Sequence, residues 1–236
     1  MCGRFTLRTP LARVAELFDA VAIGDWAKRQ PPRYNIAPSQ IVAAVRSNTA
    51  GDGRELVPLA WGLVPSWSDD AAIGNKMINA RAETLATKPA FRDAFRKRRC
   101  LVIADGFYEW QKRGGAKQPY FIHMREDQPF AFAGLWARSE RFETPIETCT
   151  IVTTEANALL RSMHDRMPVI LDREACERWL DANVEDTAAL EPLLRPHAAD
   201  PMAAYPVSTL VNSPRHDAAD CIEAAPSAPR QGSLFD

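Results

Sequence analysis

Cys2 follows the initiator methionine directly, in the opening run Met-Cys-Gly-Arg-Phe. Removal of Met1 would leave an N-terminal cysteine, whose thiol and α-amine have reference pKa values of about 8.5 and about 7.7–8.0. An aldehyde can form a Schiff base with that amine and then close with the sulfur into a thiazolidine. An ester or amide can instead be attacked by the thiolate. A buried structural cysteine is the alternative, and position alone does not decide between them.

Asn79 and Arg81 lie two positions apart in the run Ile78–Thr84. If this segment is extended, the two side chains share a face, because residues of a strand alternate between its faces. The amide could then hold a substrate oxygen while the guanidinium grips a phosphate. The alternative is that both side chains satisfy loop carbonyls and a carboxylate such as Glu83.

Glu109 stands among aromatic residues in the run Asp105–Trp110, which has the composition of a strand. Partial burial would raise the pKa of its carboxyl group and allow it to act as a general acid near neutral pH. A salt-bridged glutamate on an edge strand is the more ordinary interpretation of the same pattern.

His164 lies beside Asp165 and Arg166 in the run Met163–Pro168. An imidazole next to an acid and a base is suited to proton transfer, because histidine titrates close to neutral pH. A structural histidine is the alternative.

Trp67 and an uneven charge distribution are the features that suggest nucleic acid. The run Pro65–Ser68 places the indole in a predicted loop, where it could stack on a base, although a core tryptophan is more common. Residues 1–113 carry a net charge of +7 and the remainder −8, so a basic face can exist on a chain of net charge −1. The densest cluster, in Arg92–Arg99, is equally typical of a solvated helix face.

Composition indicates a globular protein with 46% hydrophobic and 25% charged residues among 236. The five cysteines are widely spaced and form no CxxC pair, so neither a disulfide framework nor a zinc site is predicted. No apolar run approaches the roughly 20 residues of a membrane span, and no signal peptide is recognisable. We expect a cytoplasmic protein that uses no metal or nucleotide cofactor.

Short strands are the predicted elements that position these residues, and few βαβ alternations occur. The pattern favours an α+β fold, with one domain over residues 1–225, a mostly antiparallel, barrel-like β core and peripheral helices. Four local predictions are specific. They are a helix from Leu11 to about Ala20 with Thr9 as N-cap, an ordered loop over Trp26–Pro38, a hairpin turning at Asp105-Gly106, and a helical segment over Thr187–Leu194.

The chain closely resembles the SRAP family (SOS response-associated peptidase), whose human member shields abasic DNA. The resemblance covers nearly the whole chain, in the family's order, and extends through Pro206–Asn212 to about Ala225. Its motifs are Met1–Phe5, Arg33–Pro38, Trp61–Pro65, Ile78–Thr84, Asp105–Trp110 and His164–Pro168.

The resemblance implies covalent capture of abasic sites in single-stranded DNA, as part of the response to DNA damage. In that family Met1 is removed, and the exposed Cys2 attacks the ring-opened aldehyde of the site to form a stable thiazolidine crosslink. Asn79 would orient the sugar-derived oxygen. Glu109 would act as acid and base, and His164 would assist proton transfer, including reversal of the crosslink. The "peptidase" of the name rests on Met1 removal.

The resemblance also implies a positively charged cleft for the DNA strand. Arg4 and Arg81 would bind phosphates, while Pro38 and Trp67 would pack near the bases that flank the lesion. Some relatives carry two adjacent tryptophans where this chain has Trp67-Ser68, so a smaller stacking wedge is expected. We expect a monomer.

Two other functions remain open from the residues alone. Glutamine amidotransferases of one class also begin Met-Cys-Gly and use the cysteine to hydrolyse an amide, which predicts glutaminase activity. A single-stranded DNA-binding module with an inert Cys2 would bind intact and abasic strands equally and form no covalent product.

The C-terminal residues 226–236 are predicted to be a flexible tail. The tail ends in a Gln-x-x-Leu-Phe pattern, which resembles the peptide by which bacterial proteins dock on the replicative sliding clamp. Leu234 and Phe235 would fill an apolar cleft, and Gln231 would bond at its rim. A chance hydrophobic end is the alternative.

Overall fold

Strands dominate the part of the chain that the computed structural model describes, residues 2–48 and 53–226. One sheet has five antiparallel strands. In spatial order they are β14 (Met202–Pro206), β9 (Ala116–Met124), β8 (Gly106–Arg113), β1 (Phe5–Leu7) and β3 (Arg33–Ile36). Because β1 begins only three residues after Cys2, this sheet fixes where the N-terminus lies.

The second sheet has nine strands and closes on itself. Its main path contains β12 (Arg166–Pro168), β11 (Ile146–Glu155), β10 (Phe130–Ser139), β7 (Arg99–Ala104), β4 (Ile41–Ser47), β5 (Arg54–Trp61) and β2 (Ala20–Ala22). A parallel pairing of β11 with β5 joins the path into a ring. The predicted mostly antiparallel, barrel-like core is therefore confirmed.

Two short strands attach to this ring. Strand β6 (Asn79–Arg81) pairs in parallel with β11, and β13 (Ile170–Leu171) pairs with β10. Strands β6 and β12 thus both lie against β11, which brings the Asn79 and His164 regions to the same part of the sheet.

Aromatic rings in the core join the two sheets. The Phe5 ring lies 5.1 Å from that of Trp61 and 5.9 Å from that of Phe132, and Phe107 lies 5.9 Å from Phe132. All four side chains are essentially inaccessible to solvent. Truncating a buried Phe to Ala costs about 3–5 kcal/mol, so this contact firmly anchors the segment that carries Cys2.

Helices are short and peripheral, as predicted. They are α1 (Leu11–Leu17), α2 (Arg92–Lys97) and α3 (Arg173–Leu180). Short 3₁₀ segments fill several connections, among them Ala71–Lys76, Ala82–Thr84, Thr209–Asn212 and Ala219–Ile222. Among the described residues, no helix is both long and apolar enough to cross a membrane.

The predicted hairpin at Asp105-Gly106 is wrong. Strand β7 belongs to the nine-stranded sheet and β8 to the five-stranded sheet, so the chain turns a corner between them. The buried Asp105 carboxylate accepts hydrogen bonds from Thr6 Oγ1 at 2.6 Å and from the amides of Arg8 and Thr9 at 2.6 and 2.9 Å. A Cβ on Gly106 would lie 2.2 Å from the Phe121 ring, so glycine is required for packing at this corner.

Three other local predictions need correction. Helix α1 ends at Leu17, and Pro10 rather than Thr9 is its N-cap, because the Thr9 amide and hydroxyl both bond to the corner aspartate. The predicted loop over Trp26–Pro38 contains strand β3. The segment Thr187–Leu194 forms two separate 3₁₀ turns, the second containing a proline that cannot donate the next helical hydrogen bond.

Candidate active site

Cys2 is completely buried, close to the start of β1. The Tyr108 amide donates to the Arg4 carbonyl at 3.0 Å, which continues the pairing of β1 with β8 toward the N-terminus. The Cys2 Sγ atom lies 4.0 Å from the same carbonyl. Burial raises the pKa of the Cys2 thiol well above its usual value, and the charge of Glu109 raises it further. The thiol is therefore protonated at neutral pH.

Asn79 is hydrogen-bonded to the backbone of Cys2. Its Nδ2 donates to the Cys2 carbonyl at 2.9 Å, and its place in β6 is fixed by pairing with Ile151 of β11. Its Oδ1 is buried and has no hydrogen-bond partner within residues 2–48 and 53–226. A buried acceptor left unpaired costs about 1–3 kcal/mol, so this atom is poised to accept from a bound hydroxyl.

Glu109 completes the group around Cys2. It lies on β8, one residue after the Tyr108 amide that bonds to the Arg4 carbonyl, and only 3% of its surface is exposed. The Tyr108 hydroxyl donates to the Tyr34 carbonyl at 2.7 Å, which links β8 to β3, two strands away in the sheet. The charge of the Glu109 carboxylate acts on the Cys2 thiol, as it would for a group that exchanges protons with that thiol.

Glu109 and His164 line one cleft of about 650 Å³. The β8–β9 hairpin forms one wall, with Trp110, Lys112 and Lys117, and residues 162–165 form the other. The structure thus brings together the four predicted reactive residues. Cys2 and Asn79 share a hydrogen bond, Cys2 and Glu109 interact electrostatically, and Glu109 and His164 share the cleft.

The His164 ring has two competing contacts at Nδ1. The Arg166 amide lies 2.9 Å from this nitrogen, and Asp165 Oδ1 lies 2.7 Å from it. A ring nitrogen accepts from an amide only when it is unprotonated and donates to a carboxylate only when it is protonated. Nδ1 therefore has a hydrogen-bond partner whether or not it carries the ring hydrogen.

Arg166, the third member of that motif, is a structural residue within this protein. Its guanidinium makes two hydrogen bonds to Glu83, of 2.6 and 3.0 Å, and a further one to the Thr153 carbonyl. The Glu83 pKa is lowered chiefly by the hydrogen bond from Arg166. This contact ties β12, which follows His164, to the turn that follows Asn79.

The residues predicted to contact DNA differ in their exposure to solvent. Arg81 is exposed on β6, where alternation places it on the same face as Asn79, as the sequence pattern predicted. Trp67 lies in a loop and is 53% exposed, and Pro38 is half-buried before β4. Their roles in binding stay predictions.

Arg4 is already engaged within the protein. Its guanidinium donates to Asn35 Oδ1 at 2.8 Å and to the carbonyls of Val211 and Asn212 at 2.7 and 3.2 Å. These bonds fasten the C-terminal segment beside Cys2. A phosphate would have to share the guanidinium with them, so its predicted role stays open.

Asn35 and Asn212 are site residues to which the sequence analysis assigned no role. Asn35 is fully buried, and its Nδ2 lies within hydrogen-bonding distance of three carbonyls in the C-terminal segment, those of Val211, Ser213 and His216. Asn212 Oδ1 accepts from Trp110 Nε1 at 2.7 Å and lines the cleft. The sequence could have indicated these two residues, because both lie in segments that carry the resemblance to the SRAP family.

One group of side chains has the composition of a metal site. In His216, Asp220 and Cys221, the potential ligand atoms lie within 4.8 Å of one another. His216 Nε2 lies 2.7 Å from Asp220 Oδ1, and the Cys221 thiol donates to the His216 carbonyl at 3.5 Å. Hydrogen bonds within the group therefore account for its geometry. The tail residues Gln231, Leu234 and Phe235 lie outside the described residues.

Proteins of similar sequence have names that refer to abasic sites. The abasic site processing protein YoaM of Bacillus subtilis is 43% identical over 226 residues, which cover 95% of this chain and 98% of the relative. The abasic site processing protein HMCES of Gallus gallus is 36% identical, over 94% of this chain and 77% of the relative. The corresponding protein YedK of Escherichia coli is 32% identical, over 94% and 99%.

Solved structures and a family profile agree with these relatives. A crystal structure of a protein from Bacteroides thetaiotaomicron superposes with a TM-score of 0.86 at 26% identity, covering 95% of this chain and all of the other. A crystal structure of a protein from Bordetella bronchiseptica gives a TM-score of 0.74 at 28% identity, covering 88% of this chain and all of the other. Residues 1–214 match the family described as "SOS response associated peptidase (SRAP)". The chain therefore belongs to the SRAP family.

Proposed function

We propose that this protein captures abasic sites in single-stranded DNA through a thiazolidine formed by Cys2 after Met1 has been removed. The observation that carries the proposal is the buried group around Cys2, in which Asn79 donates a hydrogen bond to its carbonyl and the charge of Glu109 acts on its thiol. The names of the relatives supply the substrate class.

The order of bond formation that we propose is consistent with the raised pKa of the thiol. Because the thiol is protonated, the α-amine of Cys2 attacks the aldehyde first. Glu109 takes a proton from the attacking nitrogen and gives one to the departing hydroxyl, so that water leaves and an imine remains. The thiol then adds to the imine carbon while Glu109 carries its proton to the nitrogen. The overall balance is aldehyde plus aminothiol giving thiazolidine plus water.

Asn79 and His164 position the substrate and move protons at its other end. The buried Asn79 Oδ1 accepts from a hydroxyl of the ring-opened sugar, which pairs an atom that otherwise lacks a partner among the described residues. His164 stands across the cleft from Glu109 and supplies or removes a proton at the sugar oxygen. The same groups act in reverse when the ring opens and the crosslink is released.

Binding before reaction depends on the exposed residues and on the missing base. A nucleotide without a base leaves the stack at low cost, so its sugar enters the cleft readily. Arg81 and Trp67 provide a phosphate contact and a stacking surface, which give sequence-independent and salt-sensitive affinity. The covalent step then supplies specificity for the lesion.

Substitution of Cys2 tests the proposal and separates its two nucleophiles. The Cys2→Ala protein retains an α-amine but has no thiol. We expect it to give no product stable in SDS with an abasic oligonucleotide, and to be trapped as an imine only when borohydride is added. A stable product of unchanged yield from Cys2→Ala would overturn the mechanism. Glutaminase activity that depends on Cys2 would favour the amidohydrolase function instead.

The tail prediction has a separate test. We propose that Gln231, Leu234 and Phe235 dock on the replicative sliding clamp and so bring the protein to replication forks. The full chain should bind purified clamp, and the variant with Leu234→Ala and Phe235→Ala should not. Absence of binding by the unmodified chain would end this proposal and leave the crosslinking mechanism untouched.

A further inference from the structure

A pair of lysines faces the reaction cleft from the β8–β9 hairpin. Lys112 and Lys117 are direct cross-strand partners, and both are exposed and line the cleft that contains Glu109 and His164. Trp110, two residues before Lys112 on β8, lies on the same face of its strand and lines the cleft as well.

The positive charges of the two lysines repel each other when no anion lies between them. Like charges directly opposite on neighbouring strands are destabilising. Neither ammonium group forms a salt bridge with a carboxylate in the part of the chain that the structure describes. The acidic residues that line the cleft are Glu109, beside Cys2, and Asp165, 2.7 Å from the His164 ring. An anion held between the two lysines would turn this repulsion into attraction.

Trp110 is held in a fixed orientation beside the lysines. Its Nε1 donates to Asn212 Oδ1 at 2.7 Å, and its ring lies 6.5 Å from that of Tyr108. The indole is half-buried, so part of it remains available in the cleft. An oriented aromatic ring next to paired cations is the combination that binds single-stranded nucleic acid, because the ring stacks on a base while the cations hold the backbone.

We infer that Trp110, Lys112 and Lys117 form a second nucleotide-binding site, which holds the phosphate and base of a nucleotide adjacent to the captured sugar. This inference rests on the proposed function, because it takes the ligand to be the strand that carries the lesion. This second site is separate from the phosphate contact proposed for Arg81, because Arg81 does not line the cleft. The hairpin thereby orients the strand on entry, so that the aldehyde reaches Cys2.

The test measures the affinity of a double variant for a strand that cannot react. Binding of an oligonucleotide with a tetrahydrofuran abasic analogue, which has no aldehyde, is followed by fluorescence anisotropy over a range of salt concentrations. For the variant with Lys112→Ala and Lys117→Ala, we expect Kd to rise about tenfold at low salt. The slope of log K against log salt should fall by about 0.7 for each phosphate that the variant no longer neutralises. The variant with Lys112→Arg and Lys117→Arg should retain both values.

A matched control removes the same charge elsewhere. Lys28 and Lys88 are exposed and do not line the cleft, so changing both to alanine should leave Kd and slope close to those of the unmodified protein. Equal losses of affinity in both double variants would reduce the effect to net charge and overturn the inference, as would an unchanged Kd. Failure of the unmodified protein to crosslink an aldehyde-bearing strand would instead contradict the proposed function.

Discussion

Two buried cysteines in this protein have the same solvent exposure and different surroundings. Cys149 lies in strand β11 within the barrel, and Cys2 lies at the start of the chain, and both are completely buried. Burial raises the pKa of both thiols. Both belong to the same apolar cluster, in which the Cys100 thiol also acts to raise the pKa of Cys149. Cys2 differs because its carbonyl accepts a hydrogen bond from Asn79 and the charge of Glu109 acts on its thiol.

The comparison shows that burial and a raised thiol pKa do not distinguish the two cysteines, whereas their polar neighbours do. A protonated thiol in an apolar core has no group to take its proton and no route for a substrate. At Cys2 we propose that Glu109 takes the proton, and Glu109 also lines the cleft through which we propose that the substrate enters. We therefore propose that the chemistry depends on the polar neighbours of the sulfur, and the predictions below remove these neighbours one at a time.

Glu109→Gln should have the largest effect short of removing Cys2. The amide keeps the shape of the side chain and cannot transfer protons, and general acid–base catalysis contributes about 10²–10⁴-fold in rate. We expect the first-order rate of crosslinking at saturating DNA to fall by that factor. The Kd for the tetrahydrofuran strand should stay unchanged, and an unaltered rate would remove Glu109 from the mechanism.

Asn79→Ala should have the next largest effect. It removes the hydrogen bond to the Cys2 carbonyl and the buried Oδ1 that we propose as the acceptor for the sugar hydroxyl. Loss of one such positioned group costs up to about 10²–10³-fold in rate in other enzymes, and we expect the lower end of that range. Single-turnover kinetics measure this change. A change confined to Kd would show that Asn79 only binds the strand.

Trp67→Ala should weaken binding and leave the chemical step largely intact. Base stacking on an aromatic residue contributes about 1–3 kcal/mol, so Kd for abasic and intact single strands should rise at least about fivefold. Anisotropy measures this directly. A fall in the crosslinking rate at saturating DNA, without a change in Kd, would place the indole at the reacting group instead.

The stability of the protein should depend on both thiols in the same way, although their chemistry differs. Above about pH 8.5 an unfolded thiol loses its proton, whereas Cys2 and Cys149 keep theirs in the folded state. The folded state then binds more protons, so the free energy of unfolding falls as pH rises, by up to about 1.4 kcal/mol per pH unit for each thiol. Urea unfolding at several pH values should show a shallower decline for Cys2→Ala and for Cys149→Ala.

The crosslinking assay separates the two cysteines that the unfolding experiment treats alike. Cys149→Ala should crosslink at the rate of the unmodified protein, because its sulfur lies in the barrel core. A decline in stability with pH that is unchanged in both variants would contradict the assigned pKa directions.

Each of the residues predicted to react lies in a short motif of the sequence, and the structure brings these motifs together, while the roles of the residues stay predictions. The alternating strands of the sequence also predicted the barrel-like core, since periodicity reports local burial. The prediction failed at Asp105, where a turn signal concealed a carboxylate whose partner Thr6 lies 99 residues away in sequence. It did not anticipate that the Arg4 guanidinium bonds to Val211, 207 residues away. No local pattern records partners that are this distant.

The central claim is that Cys2 becomes an N-terminal aminothiol that captures an aldehyde on DNA. Intact mass spectrometry of the purified protein, before and after exposure to an abasic oligonucleotide, tests this claim most directly. The account predicts a chain that lacks Met1, which gains the mass of the oligonucleotide less one water. It also predicts that Cys2→Ala gains no stable mass. A protein that retains Met1 and still forms the adduct, or an adduct that persists in Cys2→Ala, would contradict it.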